Sequence, residues 1–155
     1  KIIAGMKYVI LVFIIFYLIM LMVYASGSKR AFSEVEKAVS SVLNSDELTK
    51  MDERMLKKNF GLNSADYQGV MYYASPSSVS AAEVLLIQVK NESQTDAVTD
   101  AIEKRKAQRM EDFEGYLPEE VKLLEDAQLS VRGKYIFYAV SSDASKYRNT
   151  FDKSL

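Results

Sequence analysis

The chain contains no cysteine and no histidine, and its 155 residues include only two prolines and six glycines. Without cysteine there is no disulfide framework, no thiolate nucleophile and no zinc-thiolate site. Without histidine, the commonest general base and the commonest metal ligand are both missing. The low proline and glycine counts argue against a long disordered linker. From these absences we expect no enzyme, no cofactor and no metal site.

An apolar segment runs from Tyr8 to Ala25 without a charge or a proline. A helix of this length would be about 27 Å long, close to the ~30 Å hydrocarbon thickness of a bilayer. Residues 1–25 are therefore predicted to be a transmembrane anchor or a signal sequence. The small residues before Ser26 are compatible with cleavage, but a signal peptide usually has an apolar region of only ~7 to 15 residues. The length favours a retained anchor that contacts the membrane through residues 8–25.

Two tyrosines mark the ends of this apolar segment. Tyr8 and Tyr24 are predicted to lie at opposite membrane interfaces, where the amphipathic ring of tyrosine is favoured. Basic residues flank the segment on both sides, so charge alone indicates the orientation only weakly. An N-terminal anchor followed by no second span favours N-in topology. We therefore expect a single-pass protein of the cell membrane with an extracytoplasmic C-terminal part.

The rest of the chain is predicted to be a short polar linker, residues 26–31, and one domain, residues 32–155. The part from residue 29 onward holds 18 of the 20 basic and all 21 acidic residues, which gives a net charge of −3. A mildly acidic domain is a poor match to nucleic acid or to anionic lipid as its main partner, and we expect it to bind no nucleic acid.

Hydrophobic periodicity predicts eight elements in this domain, in the order α-α-β-β-α-β-β-α. The predicted helices are residues 33–44, 46–60, 93–115 and 144–153, and the predicted strands are residues 67–73, 82–89, 121–131 and 134–140. Short connections between consecutive strands favour antiparallel pairing. The order is typical of an α+β domain, and we expect its helices to cover one face of the sheet.

Several short segments carry a resemblance to a known family. They are Leu56–Leu62, Tyr67 with Gly69, Ser80–Glu83, Arg105 with Gln108, Phe113–Glu120 and Gly133–Tyr135. Together they resemble the bacterial domain-of-unknown-function family 4358. The resemblance implies an export signal or lipid anchor followed by one small domain, and it brings no catalytic residues. Members commonly carry a lipobox cysteine, which this chain lacks, so the hydrophobic helix would serve as the anchor.

One polar cluster is the best candidate for a site. The inward stripe of the long predicted helix continues through Arg105, Gln108 and Arg109, where apolar side chains would be expected. Two arginines one turn apart could bind a carboxylate or phosphate, since guanidinium groups form bidentate contacts with both. The alternative is that they snorkel at the edge of the core.

A second polar residue on a core face is Glu83, which shares its strand face with Leu85 and Ile87. A buried carboxylate needs a partner, so we predict a structural bridge from Glu83 to Arg105. Arg109 would then be the freer arginine, available to an acidic partner.

The favoured function is a membrane-anchored interaction or binding module of the bacterial cell envelope, with a protein partner. The alternative is a structural subunit of a membrane-associated assembly, either ring-building or pilin-like, which would involve homo-oligomers. This alternative is based on an analogy of element order alone.

Overall fold

A computed structural model describes the backbone of residues 2–26 and 30–155 and the side chains of residues 2–21 and 30–155. Its first helix, α1, is Ile2–Ser26. The part Ile2–Leu21 is long and apolar enough to cross a membrane, and none of it is buried. Both a single-pass anchor and a signal peptide fit this helix. Tyr8 is exposed on it, whereas the side chain of Tyr24 and half of the predicted linker, residues 27–29, lie outside the described residues.

The rest of the described chain contains five further helices and five strands. The helices are α2 (Phe32–Ser40), α3 (Glu53–Phe60), α4 (Thr95–Phe113), α5 (Pro118–Glu125) and α6 (Ala144–Ser154). The strands are β1 (Thr49–Lys50), β2 (Gly69–Ala74), β3 (Glu83–Gln88), β4 (Gln128–Arg132) and β5 (Tyr135–Val140). The predicted α+β class is confirmed.

The strands form one antiparallel sheet in the order β1-β2-β3-β5-β4. In its register, Leu85 of β3 lies opposite Tyr72 of β2 on one side and Tyr138 of β5 on the other. Every residue of β5 is buried, as are all residues of β3 except Gln88. Two central strands buried on both faces require a cover on each face of the sheet.

Helices supply that cover on both sides, so the expectation that they cover one face is wrong. On one face, α3, α4 and α5 pack over a core that includes Leu85 and Ile87. On the other face, α2 and α6 pack over Val84 and Leu86. Adjacent strand residues point to opposite faces, and β3 and β5 carry apolar residues on both faces, which fits their central position in the sheet. The one-face expectation failed because it did not assign the second face of these strands to any helix.

The predicted order of elements is wrong at two places. The predicted helix 46–60 begins only at Glu53, because Asp52 caps its N-terminus by accepting a hydrogen bond from the Met55 amide at 3.0 Å. The residues before it form the short edge strand β1. The predicted strand 121–131 begins as a helix, α5, since Pro118 at its first position and acidic residues in its first turn favour a helix N-terminus.

The domain has two distinguishable ends. Arg30 lies at one of them, where its Nη1 donates to the carbonyl of Ser154 at 2.8 Å and its own carbonyl accepts from the Tyr135 hydroxyl. We call this the tether end, and it also holds Gln88 at the end of β3. Glu83, at the start of β3, lies at the opposite end, the far end. The two ends of β3 are about 17 Å apart, at ~3.3 Å per residue.

Candidate functional site

The Glu83 carboxylate is the centre of the polar cluster at the far end. Its side chain is 2% exposed, and it accepts hydrogen bonds from three donors. Arg105 on α4 donates through Nε and Nη2, each at 3.1 Å, and the Tyr72 hydroxyl on β2 donates at 2.9 Å. This bidentate geometry is the strongest that a guanidinium and a carboxylate make. The structure thus contains the bridge between sheet and helix that the sequence predicted.

Two more contacts extend this network to α3. Asn59 donates to the Tyr72 hydroxyl at 2.8 Å, and the Arg105 guanidinium lies 5.7 Å from the centre of the Phe60 ring. Burial acts to lower the pKa of Arg105, but the hydrogen bonds and charge of Glu83 outweigh it, so this pKa is raised above its ordinary value. Burial, aided by the Glu83 charge, raises the pKa of Tyr72. The network therefore keeps Arg105 charged and Tyr72 neutral.

Arg109 is held as firmly as Arg105, so the expectation that it is the freer arginine is wrong. Its side chain is 17% exposed, against 15% for Arg105. Nη1 contacts the Asp112 carboxylate at 3.2 Å, Nη2 donates to the Ser80 carbonyl at 3.1 Å, and the guanidinium carbon lies 4.4 Å from the centre of the Phe113 ring. Its Nε is buried without a hydrogen-bond partner among the described residues. Arg109 therefore fastens the loop before β3 to α4.

Gln108 does not join this cluster. It is exposed, and its amide donates to the Asp112 carboxylate at 3.1 Å, one turn further along α4. The structure thus brings together Glu83, Arg105 and Arg109 but leaves Gln108 on the outer side of the helix. An i,i+4 contact of this kind on an exposed helix face is a local stabilising pair.

A groove of about 430 Å³ opens beside the cluster. It lies between α3, α4 and the serine-rich loop, residues 75–82. Its basic lining residues are Lys58, Arg105 and Arg109, and Glu83 is its one acidic residue in the described chain. Arg105 pairs with Glu83, and Arg109 pairs with Asp112 outside the lining, so Lys58 is the lining cation without an ion pair among the described residues and leaves the groove a positive charge. No periodicity in the sequence indicates Lys58, Asn59 or Tyr72, because only the strand register and the packing of α3 bring them to the site.

Two large apolar side chains are exposed close to this groove. Val79 is 61% exposed and Tyr116 is 83% exposed, and in the described part of residues 30–155 only Val131 is comparable. Val79 belongs to the serine-rich loop, and Tyr116 lies in the turn between α4 and α5. Glu120, in the first turn of α5 just after that turn, accepts from the Ala81 amide of the loop at 2.9 Å. Exposed aromatic side chains beside a polar groove are typical of binding surfaces.

The family assignment rests on most of this domain. Residues 40–141 match the model of the domain of unknown function DUF4358. The chain belongs to this family. The matched range contains the whole polar cluster of the DUF4358 domain, and the resemblance seen in the sequence is confirmed. Comparison with curated proteins and with solved structures found no match.

Within the residues that the structure describes, no group of three or more acidic side chains of the DUF4358 domain could hold a metal ion. The far end offers instead fixed cations, hydroxyl groups and two apolar side chains. Arginine, lysine and hydroxyl groups are donors that can form charge-assisted hydrogen bonds with anionic groups.

Two buried tyrosines beside the cluster differ in whether their hydroxyl groups have hydrogen-bond partners. The Tyr138 hydroxyl is buried without a hydrogen-bond partner among the described residues, whereas the Tyr72 hydroxyl bonds to both Asn59 and Glu83. A buried polar group without a partner costs about 1–3 kcal/mol. We therefore expect Tyr138→Phe to leave the free energy of unfolding unchanged or to raise it by up to about 1 kcal/mol. Tyr72→Phe should lower the free energy of unfolding by about 1–3 kcal/mol. Urea denaturation of both variants measures this difference.

Alkaline pH provides a second test of the Tyr138 hydroxyl. Burial, together with the Glu83 charge, raises the pKa of Tyr138 above the ordinary value of 10.0. Stability from the neutral hydroxyl is thus complete below pH 10, and it is lost as the pH rises further because the unfolded chain ionises first. Tyr138→Phe should reduce this alkaline loss. If Tyr138→Phe destabilised the domain as much as Tyr72→Phe, the Tyr138 hydroxyl would have to have a partner.

Proposed function

We propose that this DUF4358 protein is a membrane-anchored, extracytoplasmic binding module whose far end binds an acidic segment of a protein partner in the cell envelope. The observation that carries the proposal is the position of the groove. It lies, with Val79 and Tyr116, at the end of the domain opposite Arg30, where the chain leaves for α1.

The anchor supports this arrangement. In the proposed topology α1 spans the membrane with its N-terminus inside, and residues 32–155 form the exported domain. Only residues 27–29 separate Ser26 of α1 from Arg30, so the tether end must stay near the bilayer. The far end, about 17 Å away along β3, then points toward the space where an envelope partner is found.

The chemistry of the groove indicates the partner. Lys58 is exposed at its rim, Arg109 lines its wall, and the serines of the loop add hydroxyl donors. An acidic side chain of the partner would contact these groups, while Val79 and Tyr116 would cover neighbouring apolar side chains. Tyrosine and arginine are the residue types most enriched in the energetically dominant parts of protein interfaces.

Photo-cross-linking of the full chain in intact cells tests the proposal. A photoreactive residue at Val79 or Tyr116 should capture one discrete partner, and the same residue at Asn91, an exposed position beyond the opposite end of β3, should not. Lys58→Glu should reduce the capture at Val79 at least about tenfold, since it places a negative charge where an acidic segment binds. Lys57→Glu is the matched control, because Lys57 is exposed on the same helix outside the groove lining.

The outcomes separate the parts of the proposal. Equal loss of capture in Lys57→Glu and Lys58→Glu would contradict the groove as the binding site. Capture of a second copy of the chain would favour the structural subunit of an assembly.

Intact-mass measurement of the membrane fraction tests whether α1 is retained as an anchor, because a mature chain beginning at Ser26 would contradict it. Labelling of exposed lysines by a membrane-impermeant reagent should reach the domain in intact cells if it is extracytoplasmic.

A further inference from the structure

We propose a second binding site, at the tether end, for the headgroup of an anionic phospholipid. It is formed by Arg30, Lys90 and Lys134, and it rests on the proposed anchoring of the chain by α1. The site is separate from the groove at the far end. Binding of a headgroup at the tether end would set the orientation of the domain relative to the membrane surface.

The three cations surround a pocket of about 400 Å³. Arg30 precedes α2, Lys90 follows β3, and Lys134 lies in the turn between β4 and β5. Gln68 and Gln88 add side-chain amides to the lining. No carboxylate lines the pocket in the described part of the chain. The lining itself offers an anion positive charges and neutral hydrogen-bonding groups, while Glu34, outside the lining, pairs with Arg30 Nε at 3.2 Å.

Most donors of these cations are free to bind a ligand. Lys90 Nζ donates to the Ala65 carbonyl at 3.2 Å, which leaves two of the three ammonium protons. The Lys134 ammonium has no hydrogen-bond or ion-pair partner among the residues the structure describes. Arg30 uses Nε for Glu34, at 3.2 Å, and Nη1 for the Ser154 carbonyl. Its remaining N–H groups are available, and a phosphate has enough acceptor oxygens to bind all three side chains.

The position of the pocket argues for a lipid as the source of the phosphate. Three residues join Ser26 to Arg30, so the two Cα atoms are at most about 14 Å apart. The Tyr135 hydroxyl donates to the Arg30 carbonyl and so fixes this backbone to the domain. Phe32, two residues later, packs directly over Gly69 at the start of β2. Gly69 leaves no space for a Cβ under the Phe32 ring. The pocket is therefore held within reach of the headgroup layer that borders α1.

Native mass spectrometry of the full chain in detergent micelles tests the site. The micelles are titrated separately with phosphatidylglycerol, with phosphatidylcholine and with inorganic phosphate. We expect phosphatidylglycerol to bind at least about tenfold more tightly than phosphatidylcholine. The double variant Lys90→Gln with Lys134→Gln should weaken the binding of phosphatidylglycerol about twenty-five-fold, since each cation near a headgroup contributes roughly a factor of five.

The control is the double variant Lys122→Gln with Lys146→Gln, which removes two exposed lysines outside the pocket. It should bind phosphatidylglycerol as the parent chain does. Equal weakening in both double variants, or equal binding of the two lipids, would overturn the proposal. If inorganic phosphate bound as tightly as phosphatidylglycerol, the proposal that the ligand is a lipid would be overturned. Cleavage before Ser26 in cells would contradict the anchor without changing these titrations, so the two failures are distinguishable.

Discussion

Arg105→Ala is expected to lower the free energy of unfolding by about 3–5 kcal/mol. The substitution leaves the Glu83 carboxylate, which is 2% exposed, without its charged partner. It also removes two of the three hydrogen bonds that this carboxylate accepts. Breaking one side of a buried ion pair costs more than the pair contributes, because the remaining charge stays desolvated. Urea denaturation followed by circular dichroism measures the loss.

Two control variants test whether the loss of stability comes from the broken ion pair. Lys104→Ala removes an exposed cation from the preceding position of α4 and should change stability by about 0.5 kcal/mol or less. The double variant Glu83→Gln with Arg105→Met removes both charges and keeps an acceptor for Tyr72. It should recover much of the loss, since replacing a whole buried pair is often close to neutral. If Arg105→Ala unfolded like Lys104→Ala, the bridge would not be structural, and a ligand role for Arg105 would gain support.

Local chemistry made some features of the fold predictable. A glycine directly after an amphipathic helix favours a left-handed cap, and Gly61 adopts this conformation with φ 69° after α3. The Glu83 to Arg105 pair was predicted from the face that each residue shares with apolar neighbours. The cap follows from the lack of a Cβ in glycine. The pair follows from the side-chain direction, which the period of a regular helix or strand determines.

Features that depend on loops and distant contacts were not predictable. Arg109 is fixed by the Ser80 carbonyl, and the position of that carbonyl depends on how the loop before β3 folds. β1 has only two residues and forms because the neighbouring β2 offers its edge, which no periodicity in Thr49 and Lys50 reveals. Short elements of this kind are set by tertiary contacts, which override local propensity.

The second face of the sheet gives the other large expected effect. Phe151→Ala is expected to lower the free energy of unfolding by about 3–5 kcal/mol, the usual cost of removing a buried aromatic ring. Phe151 on α6 is 0% exposed. Its ring stacks on Phe137 of β5, with centres 5.0 Å apart and planes inclined by 11°, and meets the edge of Tyr135 at 6.2 Å. Removing the ring would leave a cavity between α6 and the central strand.

This variant separates the two arrangements of helices. With helices on one face only, α6 would have to share the side of α3, α4 and α5, and Phe137 on the opposite face would be solvent-exposed. Loss of Phe151 would then leave the environment of Phe137 unchanged. In the two-sided arrangement, Phe151→Ala should lower the stability and also shift the side-chain NMR signals of Phe137. Asn149→Ala, an exposed change on the same helix, should do neither. A stable Phe151→Ala variant with unchanged Phe137 signals would contradict the packing of α6 on this face.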